Sequence, residues 1–521
     1  MYSPFKGLIL VLFLVTLSVS VAAQSNTYTR VLYNMEYGLH TYATTPSFDD
    51  GLYVAGQKFD NSGYLLKVDP VGFVVWSKKL SFENATVILS DVKTCSDSTI
   101  VTAGLIYSNN QTYLSIVRWD IAGDTIWTKT VSWPDAIYIY EARLHVTASD
   151  DILIVGYTGP YNSGIIAETF AQRFTKNGNL LWSKKYYDLT FNIFGYSILE
   201  LPDGNITIAG NTQNRSTNLG KWLSIELDPM GNVNSAFTMD GPDGWGNKAV
   251  DLVAVDDGIV YYSYTNQGGL VKLDFNGNLL WARNFSFDNY SLYMNKQGNL
   301  IQTSDNGFIM SSGEMILKTD AEGIPEFKQA VFMAVVDVAQ NADNGFVVSG
   351  NGPLPGVKTV PDYIPQVGLY RTDAEGNSGE CIYPLITQFV SYTPSFTTLE
   401  VNSLTAGEIT NLAIYPDDFE LLNDSSCVAV SGGILKRPSK DSKLIISPNP
   451  VNSLMFTQLP DEDHTSIYKM EIFNSGGNVV WSGSKYLELE SGINVSRFIA
   501  GIYFLRIQTD DEIYTGKFIK L

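Results

Sequence analysis

One short pattern recurs seven times along this chain of 521 residues. It is an apolar run, an acidic turn that contains a glycine, and a second apolar run that usually carries a tryptophan. Leu65–Trp76 and Leu270–Trp281 are two clear copies. A period of about fifty residues is typical of β-sheet blades arranged around a central axis. The seven turn glycines are Gly72, Gly123, Gly178, Gly231, Gly277, Gly323 and Gly376.

A second signature precedes each copy, an acidic turn followed by an apolar strand, as in Asp49–Gly56 and Asp203–Gly210. Asp-Gly and Asn-Gly pairs adopt the positive φ that tight hairpins require. Each unit is therefore predicted to contain four antiparallel strands. The fold class expected is all-β, a seven-bladed β-propeller over residues 26–380, followed by a linker region and a small C-terminal β-sandwich.

The last unit ends after Gly376 without an outer strand, whereas Tyr28–Tyr33 reads as a strand without a partner of its own. We expect this N-terminal strand to complete the seventh blade, because ring closure removes exposed sheet edges. Tryptophan follows the turn at positions 76, 127, 182 and 281, and we expect these rings to clamp adjacent blades. Units four, six and seven lack it, although Phe237 and Phe327 lie nearby in two of them.

The N-terminus reads as a secretory signal peptide over residues 1–23, with an apolar run after Lys6 and cleavage between Ala23 and Gln24. No later segment is apolar for long enough to span a membrane, so the mature protein has no predicted transmembrane segment. The formal charge of −20 argues against nucleic acid as a partner, because an acidic surface repels phosphates.

The C-terminus is a run of alternating strands and glycine turns that predicts a small β-sandwich over Leu444–Leu521. With its Pro448-Asn449-Pro450 opening and its Gly501-Ile502-Tyr503 ending, this segment resembles the type A C-terminal sorting domain of the type IX secretion system of Bacteroidetes-type bacteria. The resemblance implies recognition by that machinery and delivery to the cell surface or the medium. A flexible basic linker is predicted over residues 429–443.

The repeats themselves resemble those of secreted bacterial propellers, with Leu65–Trp76 and Leu270–Trp281 as the best copies. They are also similar to the tryptophan-docking motif of quinoprotein and outer-membrane-assembly propellers, but they lack the usual threonine before the glycine. The resemblance implies architecture, and function does not follow from it.

Between the ring and the linker lies a β-rich extension, residues 381–428, that is bracketed by Cys381 and Cys427. Two cysteines in an exported chain predict a disulfide. The extension is expected to pack as extra strands against the propeller. Cys95 is left over and is expected to be a small buried hydrophobe.

Few residues point to chemistry. His40 and His145 fall on predicted inner strands, where they form at most a weak metal site. The stretch Asp240–Asn247 is the nearest to a calcium loop, with Asp240 and Asp243 as weak candidate ligands, although its spacing is not that of an EF-hand. No cofactor other than calcium is expected.

Ligand contacts are expected on the face that carries the loops between second and third strands and the loops between blades. The proline-rich insertion Asn351–Gln366 lies there, with Tyr363 inside it, and Trp133, Trp245 and Tyr138 lie in inter-blade loops. Exposed rings at these positions would stack on sugars or grip peptides. In the alternative, the rings pack under their own loops.

Three functions remain open at this point. The first is a secreted or surface-displayed binding module for a glycan or a peptide, without enzymatic activity. The second is a polysaccharide lyase or glycosidase that uses carboxylates lining the channel. The third is a quinone-dependent dehydrogenase. We favour the first, because no common catalytic motif is present.

Overall fold

The computed structural model describes residues 27–33, 37–133, 138–159, 167–240, 249–263, 267–286, 298–331, 333–352, 366–378, 382–384, 389–391, 395–399, 402–405, 408–410, 415–418, 422–424, 445–458, 467–474, 479–483, 492–509 and 513–521. These residues form strands and turns, and the prediction of an all-β, propeller-like fold is confirmed. Within these ranges, no helix has the length and apolar character needed to cross a membrane.

Seven five-stranded sheets form the main body of the described chain. Four strands of each sheet follow the repeat, and we call these four a blade. Blades 1 to 6 contain β2–β5, β6–β9, β10–β13, β14–β17, β18–β21 and β22–β25, and blade 7 contains β26–β28 with β1. The strands of blades 1 to 3 are β2 Leu39–Pro46, β3 Leu52–Lys58, β4 Gly63–Val68, β5 Val74–Ser81, β6 Thr86–Thr94, β7 Ile100–Ser108, β8 Gln111–Trp119, β9 Thr125–Ser132, β10 Arg143–Val146, β11 Ile152–Thr158, β12 Glu168–Phe174 and β13 Leu180–Tyr187.

The strands of the other blades are β14 Phe191–Glu200, β15 Ile206–Asn214, β16 Gly220–Leu227, β17 Val233–Met239, β18 Ala249–Val255, β19 Gly258–Ser263, β20 Gln267–Leu273, β21 Leu279–Ser286, β22 Asn299–Gln302, β23 Phe308–Ser312, β24 Met315–Thr319, β25 Pro325–Val331, β26 Ala334–Gln340, β27 Phe346–Asn351, β28 Val367–Arg371 and β1 Tyr28–Tyr33. The first strand of each blade contacts the first strand of the next, and β26 contacts β2, so the blades form a closed ring. Apolar clusters fill the spaces between neighbouring blades, as between blades 1 and 2.

The N-terminal strand closes the ring. β1 pairs antiparallel with β28 and takes the outer position of blade 7, with Tyr28 opposite Arg371. Blade 7 then bonds to blade 1 through Asn351, whose side chain accepts from the Thr41 amide at 2.6 Å and donates to its carbonyl at 2.8 Å. The N-terminal strand is thus joined to the last repeat by the β1–β28 hydrogen bonds within blade 7, and blade 7 is joined to blade 1 by the polar contacts of Asn351.

The repeat tryptophans join each blade to its successor. Trp76 donates from Nε1 to the carbonyl of Ile121 at 3.1 Å, and its ring lies against Gly123 of the next blade. That glycine has a φ of +81°, and a Cβ there would lie 3.1 Å from the ring. Trp127 likewise donates to the carbonyl of Lys176 and lies against Gly178. Trp182 donates to the carbonyl of Pro229 and lies against Gly231.

The blades without tryptophan fill this position differently. Phe327 covers Gly376, and Tyr28 of the closing strand covers Gly72. In blade 4 the equivalent residue is the exposed Ser235, and Gly277 opposite it has no neighbour within 4 Å. Phe237 lies two residues further on and packs with the cluster between blades 4 and 5.

The acidic hairpins are structural. In six blades an acid of the first hairpin pairs with a base on the third strand, at N–O distances of 2.6 to 3.0 Å: Asp49 with Lys67, Asp97 with Arg118, Asp151 with Arg173, Asp257 with Lys272, Asp305 with Lys318 and Asp343 with Arg371. Blade 4 differs, because Glu226 replaces the base. These ion pairs explain why acidic residues occur in most of the first hairpins, without any catalytic role for them.

A belt of seven short strands surrounds the ring. Each belt strand pairs antiparallel with the outer strand of one blade, in the order of blades 6, 5, 4, 3, 2, 1 and 7. The chain therefore returns around the propeller in the direction opposite to its first passage. The belt strands are β29 Ile382–Pro384, β30 Phe389–Ser391, β31 Phe396–Thr398, β32 Asn402–Thr405, β33 Glu408–Thr410, β34 Tyr415–Asp418 and β35 Leu422–Asp424.

The C-terminal segment forms two sheets, one of three strands in the order β36-β37-β40 and one of four in the order β39-β38-β41-β42. Met455, Met470, Leu505 and Phe518 are fully buried in its separate apolar core. The strands are β36 Ile445–Ser447, β37 Leu454–Gln458, β38 Ile467–Asn474, β39 Val479–Gly483, β40 Ile493–Asn494, β41 Gly501–Thr509 and β42 Ile513–Lys520.

Candidate functional site at the channel mouth

The inner strands enclose a polar cavity of about 350 Å³ on the axis of the ring. Its charged lining comes from five blades, with Lys93 and Asp91 from blade 2, Arg143 from blade 3, Glu200 from blade 4, Asp251 from blade 5 and Asp337 from blade 7. Inner strands begin at one face of the ring and converge on the axis, so residues far apart in sequence meet here.

Three of the carboxylates join neighbouring blades. Asp91 accepts from the amide of Leu144, Asp251 from that of Leu300 and Asp337 from that of Thr44, each at 2.8 Å. In every case the accepting carboxylate lies in one blade, and the donating amide lies in the first strand of the next blade. Each acid follows a register shift in its own strand, which turns the carboxylate toward the neighbouring strand.

Burial and neighbouring charges set the protonation states of the side chains that line this cavity. The pKa of Asp337 is raised to about 6, because burial disfavours the carboxylate more than Lys93 and the Thr44 amide stabilise it. Burial likewise raises the pKa of Asp251. The pKa of His145 is lowered to about 4 by burial and by the charge of Lys93, so the imidazole is neutral at pH 7.

A group of tyrosines from blades 1 to 4 lies on the face where inner strands begin, and one of them, Tyr196, lines the cavity. We define the tyrosine rim as Tyr42, Tyr107, Tyr138, Tyr140, Tyr157 and Tyr196, all of them half-buried. The rings of Tyr140 and Tyr157 are stacked with centroids 5.5 Å apart, and Tyr196 meets Tyr157 edge-on at 5.7 Å. The centroids of Tyr138 and Tyr140 lie 6.1 Å apart.

Glu141 is the acidic residue of the rim. Its carboxylate pairs with Arg143 of the cavity wall at 3.1 Å, which connects the rim to the channel. The pKa of Tyr107 is raised by burial and then by the nearby Tyr42, Glu141 and Tyr140. Burial and Glu141 also raise the pKa of Tyr42. The rim therefore consists of half-buried phenol rings with one carboxylate among them, and the hydroxyl oxygen of Tyr140 is itself buried.

The structure corrects the expected role of Trp133. Its ring is fully buried and packs against Phe170, with centroids 4.6 Å apart. An indole without exposed surface is not available to a ligand, so Trp133 serves the core between blades 2 and 3. The prediction failed because an inter-blade loop can fold its aromatic residue inward as easily as outward. Tyr138, five residues further on, belongs to the rim.

Several other predicted residues lie outside the described ranges, namely Trp245, Tyr363, Asp243, Cys381, Cys427, Ala23 and Gln24. Asp240 is described, and its carboxylate bonds to Ser395 and to Lys221, the latter at 3.0 Å. Burial opposes ionisation of Asp240, but these two partners together lower its pKa. Ion pairing with Lys221 is a structural use of this side chain. Across the described parts of the chain, no group of three or more metal-ligating side chains is present.

The inner-strand histidines are not brought together into one site. His145 lines the cavity, whereas His40 lies beside Tyr42, with ring centroids 4.6 Å apart. Cys95 is buried and its thiol is free, and burial raises its pKa. It is the small buried hydrophobe that the sequence indicated.

Sequence reasoning missed most of the rim and the cavity carboxylates. The rim residues come from blades 1 to 4: Tyr138 and Tyr140 precede a first strand, Tyr42 and Tyr196 lie within one, and Tyr107 and Tyr157 lie at the end of a second strand. Asp91, Asp251 and Asp337 carry a clearer signal. Each is the one acid of its first strand and is followed by valine or leucine.

Residues 446–521 match the family model of the secretion system C-terminal sorting domain. The chain carries a sorting tail. This domain indicates export by type IX secretion, which implies recognition by that machinery and delivery to the cell surface or the extracellular space. The resemblance inferred from the C-terminal motifs is thereby confirmed.

No curated protein matches the chain. Among solved structures, it is similar to a protein of unknown function from Bacteroides caccae, at 13% identity and a TM-score of 0.33, covering 52% of this chain and 89% of that one. It is also similar to a protein of unknown function from Dyadobacter fermentans, at 13% identity and a TM-score of 0.37, covering 56% and 99%.

Proposed function

We propose that this protein is a non-enzymatic binding module that acts outside the cell and takes a neutral glycan at the tyrosine rim. The observation that carries the proposal is the set of half-buried rings on blades 3 and 4, with Tyr140 stacked on Tyr157 and Tyr196 edge-on to Tyr157. Rings in such a set are held by their neighbours, so little side-chain entropy is lost when a ligand binds.

The chemistry of the rim suits sugars. An aromatic face packs on the apolar C–H face of a sugar ring, and a phenol hydroxyl bonds to the sugar hydroxyl groups. The overall charge of −20 disfavours an anionic ligand. Glu141 and Arg143 neutralise each other at 3.1 Å, so the strongest charges near the rim already have partners.

An extended peptide has a less suitable docking place. Peptides that bind by strand addition need a free sheet edge. On the described ring, the outer edge of every sheet is a belt strand of only three or four residues. The inner edges face the axis, where neighbouring blades bond to one another. Strand addition at such short edges would give a peptide few backbone hydrogen bonds.

A polysaccharide lyase or glycosidase is the second candidate, and one observation favours it. The pKa of Asp337 is about 6, which is a value suited to a general acid or base. Against it, both oxygens of Asp337 accept backbone amides, from Thr44 at 2.8 Å and from Val338 at 2.9 Å. Asp91 and Asp251 are engaged in the same way, and structural bonding explains all three.

Affinity electrophoresis and calorimetric titration of the exported chain against a panel of neutral and acidic polysaccharides test the proposal. We expect binding to at least one neutral glycan, with an affinity that changes little between low and high salt. Tyr157→Ala and Tyr140→Ala should each weaken this binding about tenfold, as expected for a central aromatic contact.

Phe275→Ala provides the matched control. This ring is 40% exposed and lies in the turn after β20, on the opposite face of blade 5. Its removal should leave the affinity unchanged. Equal losses in all three variants, or binding only to acidic glycans, would contradict the proposal. Shortened sugar products after long incubation would favour the enzyme instead.

A further inference from the structure

A second cavity lies on blade 2, on the face that carries the tyrosine rim. It has a volume of about 310 Å³, and we call it the amide pocket because four of its seven lining residues are amides. None of the lining residues carries a charge, in contrast to those of the cavity on the axis. The amide pocket is lined by Asn84, Tyr107, Ser108, Asn109, Asn110, Gln111 and Tyr138.

Three segments of the chain build the amide pocket. The hairpin between β7 and β8 supplies Tyr107–Gln111, the loop from β5 to β6 supplies Asn84, and the loop from β9 to β10 supplies Tyr138. The hairpin of blade 2 is thus flanked by the loops that connect this blade to blades 1 and 3. Tyr107 and Tyr138 are also members of the tyrosine rim, so the pocket and the rim are continuous.

The polar side chains of the pocket are left open for a ligand. Within the described chain, the side chains of its three asparagines have no hydrogen-bond partner. Gln111 accepts at Oε1 from the Tyr113 hydroxyl at 3.0 Å, and its amide nitrogen has no partner in these parts of the chain. Ser108 is 8% exposed, and its hydroxyl is likewise unpaired among the described residues. Only water or a ligand can satisfy these groups.

The chemistry of the pocket suits neutral sugars. An amide group both donates and accepts hydrogen bonds, as does the hydroxyl group of a sugar. The two tyrosine rings add aromatic surface for the C–H face of a sugar ring. A uronic acid or a phosphate would find no counter-charge among the lining residues to offset its loss of hydration. The volume is near the lower end of the range of about 300–1,000 Å³ for small-ligand pockets, which suits a short stretch of a glycan.

A series of tyrosine rings connects the amide pocket with the cavity on the axis. Tyr138 lines the pocket, and its ring centroid lies 6.1 Å from that of Tyr140. The next centroid distances are 5.5 Å from Tyr140 to Tyr157 and 5.7 Å from Tyr157 to Tyr196, which lines the axial cavity. A glycan that follows these rings reaches the amide pocket at one end.

We propose that the amide pocket is the subsite that selects the sugar, by holding part of the neutral glycan whose next units stack on the tyrosine rim. This inference rests on the proposed function and adds the source of its specificity. Ring faces are similar in most neutral sugars, so stacking on the rim contributes affinity with little selection. Hydroxyl positions differ between sugars, and a site that pairs with them rejects a sugar that leaves its amides unpaired.

The three asparagines can be replaced without disturbing the turns that carry them. Asn84, Asn109 and Asn110 have φ values of +55°, +51° and +61°. Glycine adopts this left-handed conformation without steric cost. Asn218 is the matched control, because it is exposed, has a φ of +59° and lies in the turn between β15 and β16 of blade 4 on the same face. It is not among the residues that line the amide pocket.

Calorimetric titration of the exported protein against a neutral glucan, mannan, galactan and xylan tests the proposal. We expect the wild type to bind one of them at least about tenfold more tightly than the others. The triple variant Asn84→Gly, Asn109→Gly and Asn110→Gly should bind that glycan about tenfold more weakly and lose the preference. Asn218→Gly should keep both the affinity and the preference. Tyr157→Ala should weaken binding but keep the order of preference.

The outcomes separate this inference from the proposed function. A triple variant with an unaltered order of preference, or a wild type without any preference, would overturn the selecting role of the amide pocket and leave the tyrosine rim as the binding site. A wild type that bound none of the four glycans would contradict the proposed function itself, and the selecting role with it. Melting temperatures near the wild-type value show that the variants are folded.

Discussion

Arg371 of blade 7 donates from Nη2 to Oδ2 of Asp50 in blade 1 across 3.0 Å, which joins the last blade of the ring to the first. The same nitrogen lies 3.0 Å from Asp343 of its own blade, and Nη1 donates to the carbonyl of Pro70 at 2.8 Å. The guanidinium side chain is 1% exposed, whereas the carboxylates are 37% and 44% exposed. The buried charge of Arg371 is therefore neutralised by two carboxylates that water can reach.

Removing the acids should destabilise the ring more than removing the base. Asp50→Asn with Asp343→Asn leaves a buried cation without a counter-ion, and we expect a loss of about 1–3 kcal/mol after allowance for solvent screening. Arg371→Met leaves two carboxylates that water can reach, and its loss should be smaller. Urea unfolding measures both. Asp203→Asn is the control, because Glu226 stands opposite that hairpin in blade 4, and it should change stability by less than about 0.5 kcal/mol.

The contact between Trp76 and Gly123 should make that glycine more sensitive than an equivalent one. Gly123 and Gly277 both have a φ of +81°, so an alanine is equally strained at the two positions. Only at Gly123 would the new methyl group meet neighbours, with Trp76 at 3.1 Å and Lys78 at 2.8 Å. Gly123→Ala should therefore lower the free energy of unfolding by about 1–3 kcal/mol more than Gly277→Ala. Equal losses of unfolding free energy in the two variants would show that the contact between Trp76 and Gly123 does not restrict this position.

Blade 4 offers the reverse experiment. Ser235 occupies the tryptophan position there and is exposed, and Gly277 across the junction has no neighbour within 4 Å. Ser235→Trp should fill this gap and stabilise the protein by about 1 kcal/mol, as other gap-filling changes do. In that background Gly277→Ala should become as damaging as Gly123→Ala is in the wild type. A lower melting temperature for Ser235→Trp would refute the equivalence of the junctions.

Asp337 and His145 should give opposite pH dependences. The pKa of Asp337 rises from 3.8 to about 6 on folding, so its contribution to stability falls as pH rises between these values. The pKa of His145 falls from 6.5 to about 4, so its contribution rises with pH across that window. Each effect reaches about 3 kcal/mol at most, and in the wild type they oppose one another.

Urea unfolding at pH 4, 5, 6 and 7 separates the two groups. Relative to the wild type, Asp337→Asn should gain stability as pH rises, because only the histidine effect remains. His145→Gln should lose stability over the same range. The difference in unfolding free energy between each variant and the wild type is followed against pH. If it changed in the same direction for both variants, the cavity would not set these two pKa values.

The repeating part of the fold could be predicted from the sequence because each unit carries its own turn chemistry. Gly72 and Asp69 mark one hairpin, Asp49 and Gly51 mark another, and Trp76 marks the outer strand. The strand β1 was also foreseeable, since the seventh unit lacks an outer strand. Its ring residue Tyr28 takes the place of tryptophan over Gly72, which no local pattern reveals.

The belt order could not be predicted, because strands of three or four residues give no usable periodicity. Their pairing is decided by the outer edges that the ring leaves open. The tyrosine rim was hidden for a related reason, since Tyr140, Tyr157 and Tyr196 are far apart in sequence and meet only when blades 3 and 4 pack together. Trp133 was misplaced because loop position does not determine whether a large ring faces solvent or core.

Hydrogen exchange of the exported protein, with and without a bound neutral glycan, tests the central claim most directly. The claim is that a ligand docks at the tyrosine rim. It predicts slower exchange at the amides around Tyr140, Tyr157 and Tyr196, and no change at the turns around Gly123 and Gly277 on the opposite face. Protection confined to those turns or to the belt would contradict the account.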